Sequence, residues 1–428
     1  MQKLNQKTDR AIAVFVLTEV LETGAYANIA LRRALADNDI DPRARAFVTD
    51  LVNETLRNLI QIDGIIAKFS NTPLDKMKPF ILDLLRISIC QIKFMEKIPD
   101  RAAVNEAVVL TKQFGYKNLA PFMNGVLRNI TRDISSKSDI QSDAIKFSYP
   151  KWLLQKLPAW LGSEQATQNF LENSHRPPPV IAIANLHKID GASLVNEFKN
   201  EGIDANQIDN TPFIILRQPG DITRLSTYKS GLFFIMDPGA YHAVEAIAPK
   251  QGDTIIDLCA APGGKTFAMA GLMQNTGKIM AFDIHPHRVE LINQTKKRLG
   301  LSNIFAKTWD ATVLDPALVG TADAVLLDAP CTGFGTIRKH PEIKYRRTLH
   351  DILDMAALQK NMLNIAAQYV KPGGKLVYCT CTITTEENGA NIRNFLHNNP
   401  NFTSESEVQL LPTHTSDAFY ISLTRKSL

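Results

Sequence analysis

Apolar residues change their spacing twice along this chain. From residue 1 to about 135 they recur every three or four positions with almost no strand-like alternation, which predicts helix after helix. Ala11, Val14, Phe15, Leu17, Val20 and Leu21 form the first such stripe. Further helices are expected over about 42–68, 75–94, 102–114 and 118–132, each bounded by a Pro, Gly or Asp that can start or stop it. An all-α domain over 1–135 follows.

A Ser/Asp-rich link, Ser135 to Ser142, ends that rhythm, and a short helical pair around 150–172 leads to the breaker run Arg176-Pro177-Pro178-Pro179. Beyond it, the apolar runs Val180–Ala184 and Phe213–Leu216 flank a helical stretch, Ser193–Asn200, which suggests a small β-α-β unit. Residues 136–235 therefore read as a linker and a small α+β subdomain.

From about 236 to 428 strands alternate with helices. The expected buried strands are Thr254–Leu258, Lys278–Phe282, Ile304–Lys307, Ala324–Leu327, Lys375–Thr380 and Phe419–Leu423. Helices between most of them predict an α/β domain with a mostly parallel, doubly wound sheet.

Composition narrows the class. With 428 residues, 45% hydrophobic and 21% charged, the chain is an ordinary globular one of more than one domain, and disordered or collagen-like classes are excluded. The formal net charge is +5, of which residues 1–140 carry +4 (20 basic against 16 acidic), so the surplus sits in the helical third. No apolar run reaches the length of a membrane span, and the start MQKLNQKTDR lacks the apolar core and cleavage site of an export signal. The five cysteines, Cys90, Cys259, Cys331, Cys379 and Cys381, form an odd and sparse set, expected as reduced thiols in the cytoplasm.

Three constellations carry chemistry. Asp257-Leu258-Cys259-Ala260-Ala261-Pro262-Gly263-Gly264-Lys265-Thr266 follows a predicted strand and opens a predicted helix, where a small-residue turn lets backbone amides approach a ligand. It ends Gly-Lys-Thr like a phosphate-binding loop, but Cys259 stands where that loop needs its first glycine. Asp283, Asp310 and Asp328 close successive strands, an arrangement suited to a ribose diol and an adenine amino group. Asp328-Ala329-Pro330-Cys331-Thr332-Gly333 and Tyr378-Cys379-Thr380-Cys381-Thr382, the latter followed by Glu386-Glu387-Asn388, put thiols at the ligand-facing edge of the sheet. Beside a nucleoside pocket they favour a reactive thiol over a buried small hydrophobe. No CxxC pair or His cluster supports a metal. Between the last two constellations, Arg338, Lys339, His340, Lys344 and Arg346 interleave with Tyr345 and are read as an RNA-binding stretch.

Together these motifs resemble the Sun/Fmu (RsmB-type) family of S-adenosylmethionine-dependent RNA cytosine-C5 methyltransferases, in DLCAAPGGKT, DAPCTGFGT with RKHPEIK, and TCT with EEN. The segments DRAIAVFVLTEVL, RAFVTDLVNETLRNL, LLRISICQIKF, IPDRAAVNEAVVL and FMNGVLRNI look like a NusB-type RNA-binding domain, so the resemblance spans essentially the whole chain. It implies a Rossmann-like catalytic domain with S-adenosyl-L-methionine held by Cys259, Ala260, Ala261, Pro262, Gly263, Gly264 and Lys265. Asp283, Asp310 and Asp328 are its implied cofactor-contacting acids. It implies Cys381 as nucleophile, Cys331 as the thiol that assists product release, and Asp328 at the pyrimidine edge. The implied partner is RNA, namely 16S rRNA, with no membrane and no metal, and a monomer is expected. Cys379, Thr332, Thr382 and Phe334 depart from the family's usual residues, as does Ile235-Met236-Asp237-Pro238-Gly239-Ala240-Tyr241. The alternatives are cytosine-C5 methylation of tRNA or another RNA, and a non-catalytic, antitermination-like RNA-binding module.

Overall fold

The computed structural model describes residues 8–38, 40–133 and 142–428. The Ser/Asp-rich link therefore lies outside the described residues, apart from Ser142. The described residues form two compact units, one made of those up to Ala159 together with Ile337–Arg346, the other of Trp160–Thr336 with Arg347–Leu428.

The first unit is helical. Its opening helix, Asp9–Thr23, starts at Thr8, whose side chain accepts from the Ala11 amide, and stops at Gly24 in the left-handed region. Ala11, Ile12, Ala13, Val14, Val16, Leu17 and Val20 are buried on several faces, so this helix is central. The helix expected over 42–68 is two, Pro42–Arg57 and Leu59–Phe69. Asn58 separates them; its amide donates to the carbonyl and carboxylate of Glu54, a local bond that competes with the helix ladder. Pro79–Phe94, Asp100–Gln113 and Ala120–Arg132 match the remaining expectations closely.

In the second unit the strands are β1 (Val180–Ala184), β2 (Asp204–Gln207), β3 (Phe213–Arg217), β4 (Phe233–Ile235), β5 (Thr254–Leu258), β6 (Lys278–Asp283), β7 (Ile304–Thr308), β8 (Ala322–Asp328), β9 (Val370–Thr380), β10 (Phe402–Leu410) and β11 (Phe419–Lys426). The small unit expected as β-α-β is an antiparallel four-stranded sheet, order β2-β3-β1-β4. The added strands are short, and β2 is the polar run DANQ, so neither showed an apolar period. Ile181, Ile183, Phe213 and Phe234 of this sheet share one apolar cluster with β5, β6 and β9.

The larger sheet has seven strands in the order β10-β11-β9-β8-β5-β6-β7. β5 through β9 pair parallel, and β10 and β11 add an antiparallel edge. The chain enters at β5, runs outward through β6 to β7, and returns to β8 on the other side of β5. That reversal is a topological switch point, and the crevice outside the carboxyl ends of β5 and β8 is where such sheets bind ligands. All six strands expected between 254 and 423 form, whereas β10 was not expected. Its alternation of Ser and Glu over a mostly exposed span belongs to an edge strand with one buried end.

Candidate active site

The turn after β5 is built to admit a ligand. Cys259 lies at φ 63° and Gly263 at φ 107°; a Cβ on Gly263 would stand 2.3 Å from the Phe267 ring. Only glycine fits there. The Ala260 amide donates to the Phe282 carbonyl (2.7 Å), tying the turn to β6, and the helix Gly264–Leu272 opens from the turn. Beneath it Asp257 is 1% exposed and accepts from the Thr266 hydroxyl at 2.5 Å, while its Oδ1 has no partner among the described residues. Burial, opposed by the Thr266 hydrogen bond and assisted by Asp328, pushes this carboxyl up to about 7.

Asp283 closes β6 and Asp310 follows β7. Asp283 Oδ1 accepts from the His285 amide (3.0 Å), and Asp310 Oδ1 accepts from the amide and hydroxyl of Thr312 (2.8 and 2.7 Å). Asp310 Oδ2 accepts no hydrogen bond from the described residues, which leaves an acceptor open for a hydroxyl or amino group, whereas Asp283 Oδ2 faces the exposed Arg288 guanidinium at 3.9 Å. Burial, and then the charges of Asp328, Asp283, Asp257 and Asp310, push the Cys259 thiol upward. The residues present fit S-adenosylmethionine: a glycine turn, an open Asp310 carboxylate oxygen, the Asp283 carboxylate beside an exposed guanidinium, and further acids suited to a sulfonium and an ammonium.

Asp328, at the end of β8, is held on both oxygens. Lys265 donates to Oδ2 at 2.6 Å, and the Cys379 thiol lies 3.4 Å from Oδ1. Lys265 sits over the Phe419 ring (4.7 Å) and is 9% exposed. Burial alone would pull its ammonium down, but the Asp328 carboxylate more than offsets this and holds it above the ordinary lysine range. Lys265, expected in the cofactor turn, thus reaches the acid that closes β8. The sequence offered no role for Cys379; it lies in β9 opposite Asp328 and is completely buried.

Cys331 and Cys381 come together with their sulfurs 3.3 Å apart. The Cys331 thiol is pushed well up by its hydrogen bond to Cys381, by burial and by the charge of Glu387. Two loops carry these thiols, and Glu387 clamps them. Its buried carboxylate accepts from the Thr332 amide (2.9 Å) and hydroxyl, the Thr384 hydroxyl (2.8 Å) and the Gln359 amide (2.9 Å). Thr332 and Thr382 share a further hydrogen bond of 2.9 Å, and Asn388 donates to the Thr382 carbonyl (3.2 Å). Burial raises the Glu387 carboxyl while the Thr332, Thr384 and Gln359 donors oppose it. Gly335 completes the clamp: its amide donates to the Cys381 carbonyl (2.9 Å), and a Cβ there would lie 2.3 Å from the Ala418 carbonyl oxygen. Motif spacing pointed to Glu387 and Asn388 but not to this bracing, which needs the loops folded together.

The basic stretch goes elsewhere. Ile337–Arg346 packs within the helical unit, interrupting the continuous span 236–428 expected for catalysis. Lys344 is 1% exposed, donates to the carbonyls of Arg57 (2.9 Å) and Phe147 (3.1 Å), and lies over the Tyr149 ring. Arg338 is 2% exposed, its carbonyl accepting from Arg57. Glu342 caps the helix Ala27–Ala36 by accepting from the Ala27 amide (3.0 Å), and Arg346 covers the Tyr26 ring. Burial removes Arg338 and Lys344 from the cations that could meet RNA phosphates. Lys339, His340 and Arg346 remain half-buried.

A doubly wound sheet with an open switch point, a glycine turn and acids closing successive strands define a Rossmann-like, S-adenosylmethionine-dependent methyltransferase. Family profiles agree along the chain: "16S rRNA methyltransferase RsmB/F" over residues 244–424, "NusB family" over 7–132, and a ferredoxin-like domain of that methyltransferase type over 149–223. A protein of Bacillus subtilis named probable ribosomal RNA small subunit methyltransferase B is 34% identical, with 97% of this chain and 98% of the relative covered. One of Shewanella oneidensis, named ribosomal RNA small subunit methyltransferase B, is 31% identical over 98% and 99%. The chain belongs to the RsmB/F family of 16S rRNA methyltransferases. Among solved structures, that of PH0851 matches 99% of this chain and 100% of its own with TM-score 0.83 and 26% identity. A methyltransferase homologue from Pyrococcus horikoshii matches 66% and 97%, with TM-score 0.58 and 28% identity.

Proposed function

We propose that the protein methylates C5 of a cytidine in small-subunit (16S) rRNA through a covalent bond between Cys381 and C6 of the base. The observation that carries this reading is the meeting of Cys331 and Cys381 at 3.3 Å beside a doubly anchored Asp328. Cytosine C5 is a poor nucleophile until a thiolate adds to C6 and its electron pair raises the density at C5. The Cys331 thiol, pushed well up by Cys381 and by burial, lies 3.3 Å from the Cys381 sulfur, close enough to hydrogen-bond it as it attacks. The Lys265–Asp328 pair faces the pyrimidine edge, where charge develops once the C6–S bond has formed. S-adenosylmethionine, which the glycine turn with Asp283 and Asp310 would hold, would supply an electrophilic methyl group to C5. Loss of the C5 proton to solvent water and departure of the Cys381 thiolate then restore the C5–C6 double bond, with Cys331 as the thiol that assists this release. The base must leave its stack to reach the crevice.

The test is transfer of labelled methyl from S-adenosylmethionine to protein-free small-subunit rRNA, followed by nucleoside analysis. Wild type yields 5-methylcytidine, Cys381→Ala yields none, and Cys331→Ala accumulates a denaturation-resistant protein–RNA adduct. Full transfer by Cys381→Ala would overturn the covalent route, and transfer to tRNA but not rRNA would overturn the substrate. The expected monomer in the cytoplasm belongs to the same reading; no described helix is long and apolar enough to cross a membrane.

A further inference from the structure

Within the helical unit, the start of the helix Asp100–Gln113 and the end of the helix Ala120–Arg132 enclose a groove of about 460 Å³. Three guanidinium groups line it, Arg101 on one helix and Arg128 and Arg132 on the other, with Asp100, Asn105 and Thr131 beside them and buried Val104 among its lining residues. All three arginines are exposed. None forms an ion pair among the described residues, and Arg128 spends only its Nε, on Asn124 (3.1 Å).

Fold stability explains this set poorly. Arg132 lies in the last turn of its helix, where the helix dipole favours a cation. Arg128 lies one turn earlier, at the i,i+4 spacing where like charges repel. Arg101 is the second residue of its helix, the end where the dipole disfavours a cation. Two of the three therefore stand where helix electrostatics oppose them, with no carboxylate paired in compensation. Guanidinium forks match phosphate oxygens in pairs, and Asn105 adds a neutral amide donor, while the Thr131 hydroxyl donates to the Arg128 carbonyl (2.9 Å).

We propose that this groove holds the phosphate backbone of the RNA substrate, an assignment that rests on the RNA-methyltransferase reading above. A phosphodiester strand suits the groove better than a peptide, because Val104 is the single apolar side chain in its lining. Asp100 is the opposing charge, and its carboxylate weakens the attraction.

The experiment uses the full chain and a protein-free small-subunit rRNA fragment, comparing wild type, the triple variant Arg101→Ala/Arg128→Ala/Arg132→Ala, and Asp100→Asn. Affinity is read against salt, and KM and kcat of methyl transfer are read separately. The triple variant raises KM for RNA roughly tenfold or more at unchanged kcat, and flattens the slope of log K against log salt by about 2. Asp100→Asn tightens RNA binding roughly twofold or more and steepens that slope. A gain of this kind cannot arise from a damaged fold. Wild-type KM and slope in the triple variant, or no gain in Asp100→Asn, overturn the groove assignment. A loss confined to polyglutamate binding would point to an acidic protein and overturn it equally. Absence of methyl transfer by wild type to any RNA would instead defeat the underlying functional reading.

Discussion

Lys265 and Lys344 are both buried lysines from motif-bearing stretches, yet they end in opposite electrostatic states. Lys265, in the cofactor turn, meets the Asp328 carboxylate at 2.6 Å and is held more firmly protonated than usual. Lys344, in the segment inserted into the helical unit, meets carbonyl oxygens at 2.9 and 3.1 Å, and burial followed by the Arg57 charge pulls its ammonium well down. One ammonium is kept charged by a carboxylate partner at the end of β8. The other sits where a carboxylate partner would have been needed to keep it charged cheaply, and its donors serve the packing of two backbone segments.

Substituting each lysine separates the two cases. Lys265→Met strips Asp328 of its counter-charge in a buried setting, so methyl transfer falls roughly 100-fold or more and unfolding free energy falls by about 3 kcal/mol. Single-turnover transfer and urea unfolding measure the two losses; transfer within a few-fold of wild type would remove Lys265 from the reaction.

Asp257 gives the catalytic unit a pH signature. Its folded value of about 7 lies above the unfolded carboxylate value, so between about pH 4 and 7 the folded state keeps a proton that the unfolded chain has released. Stability from this group therefore falls as pH rises through that window, by about 4 kcal/mol at most. Asp257→Asn is expected to flatten the slope, which urea unfolding at pH 5 and pH 8 can detect.

The helical unit carries the reverse sign. Because Lys344 is depressed on folding, the unfolded chain binds the extra proton in the window below the ordinary lysine value. Stability from this group rises with pH there. Lys344→Met removes that rise and leaves stability at neutral pH within about 1 kcal/mol of wild type or above it. A loss of several kcal/mol would mean that the ammonium is charged and needed.

The smallest effect belongs to Cys379. Cys379→Ala removes a weak thiol contact at Asp328 Oδ1 and lowers kcat about threefold, equivalent to roughly 0.7 kcal/mol. Cys379→Ser restores a donor and returns kcat toward wild type; equal losses in the two variants would assign the thiol to packing.

Much of this was legible before folding. β5 forms over the residues its apolar run marked, because a strand buried on both faces advertises itself. β10 did not, since its exposed Ser and Glu positions lower the apolar signal of an edge strand. The glycine turn, the acids at strand ends and the thiol motifs were visible because each is a short run whose chemistry is local. The basic stretch was misleading for the same reason: clustered charge shows composition, not which surface buries it.

The sequence by itself determined the helical and strand-forming spans, the ligand turn and the set of reactive groups, all properties of spacing over a few residues. Tertiary structure alone decided the partners. Lys265 reaches Asp328 across 63 residues, and Thr332 reaches Glu387 across 55, because β5, β8 and β9 lie side by side in the sheet. It also decided that Arg338 and Lys344 are buried while Arg101, Arg128 and Arg132 stand exposed. Strand order and helix packing set these distances, and no periodicity along the chain encodes them.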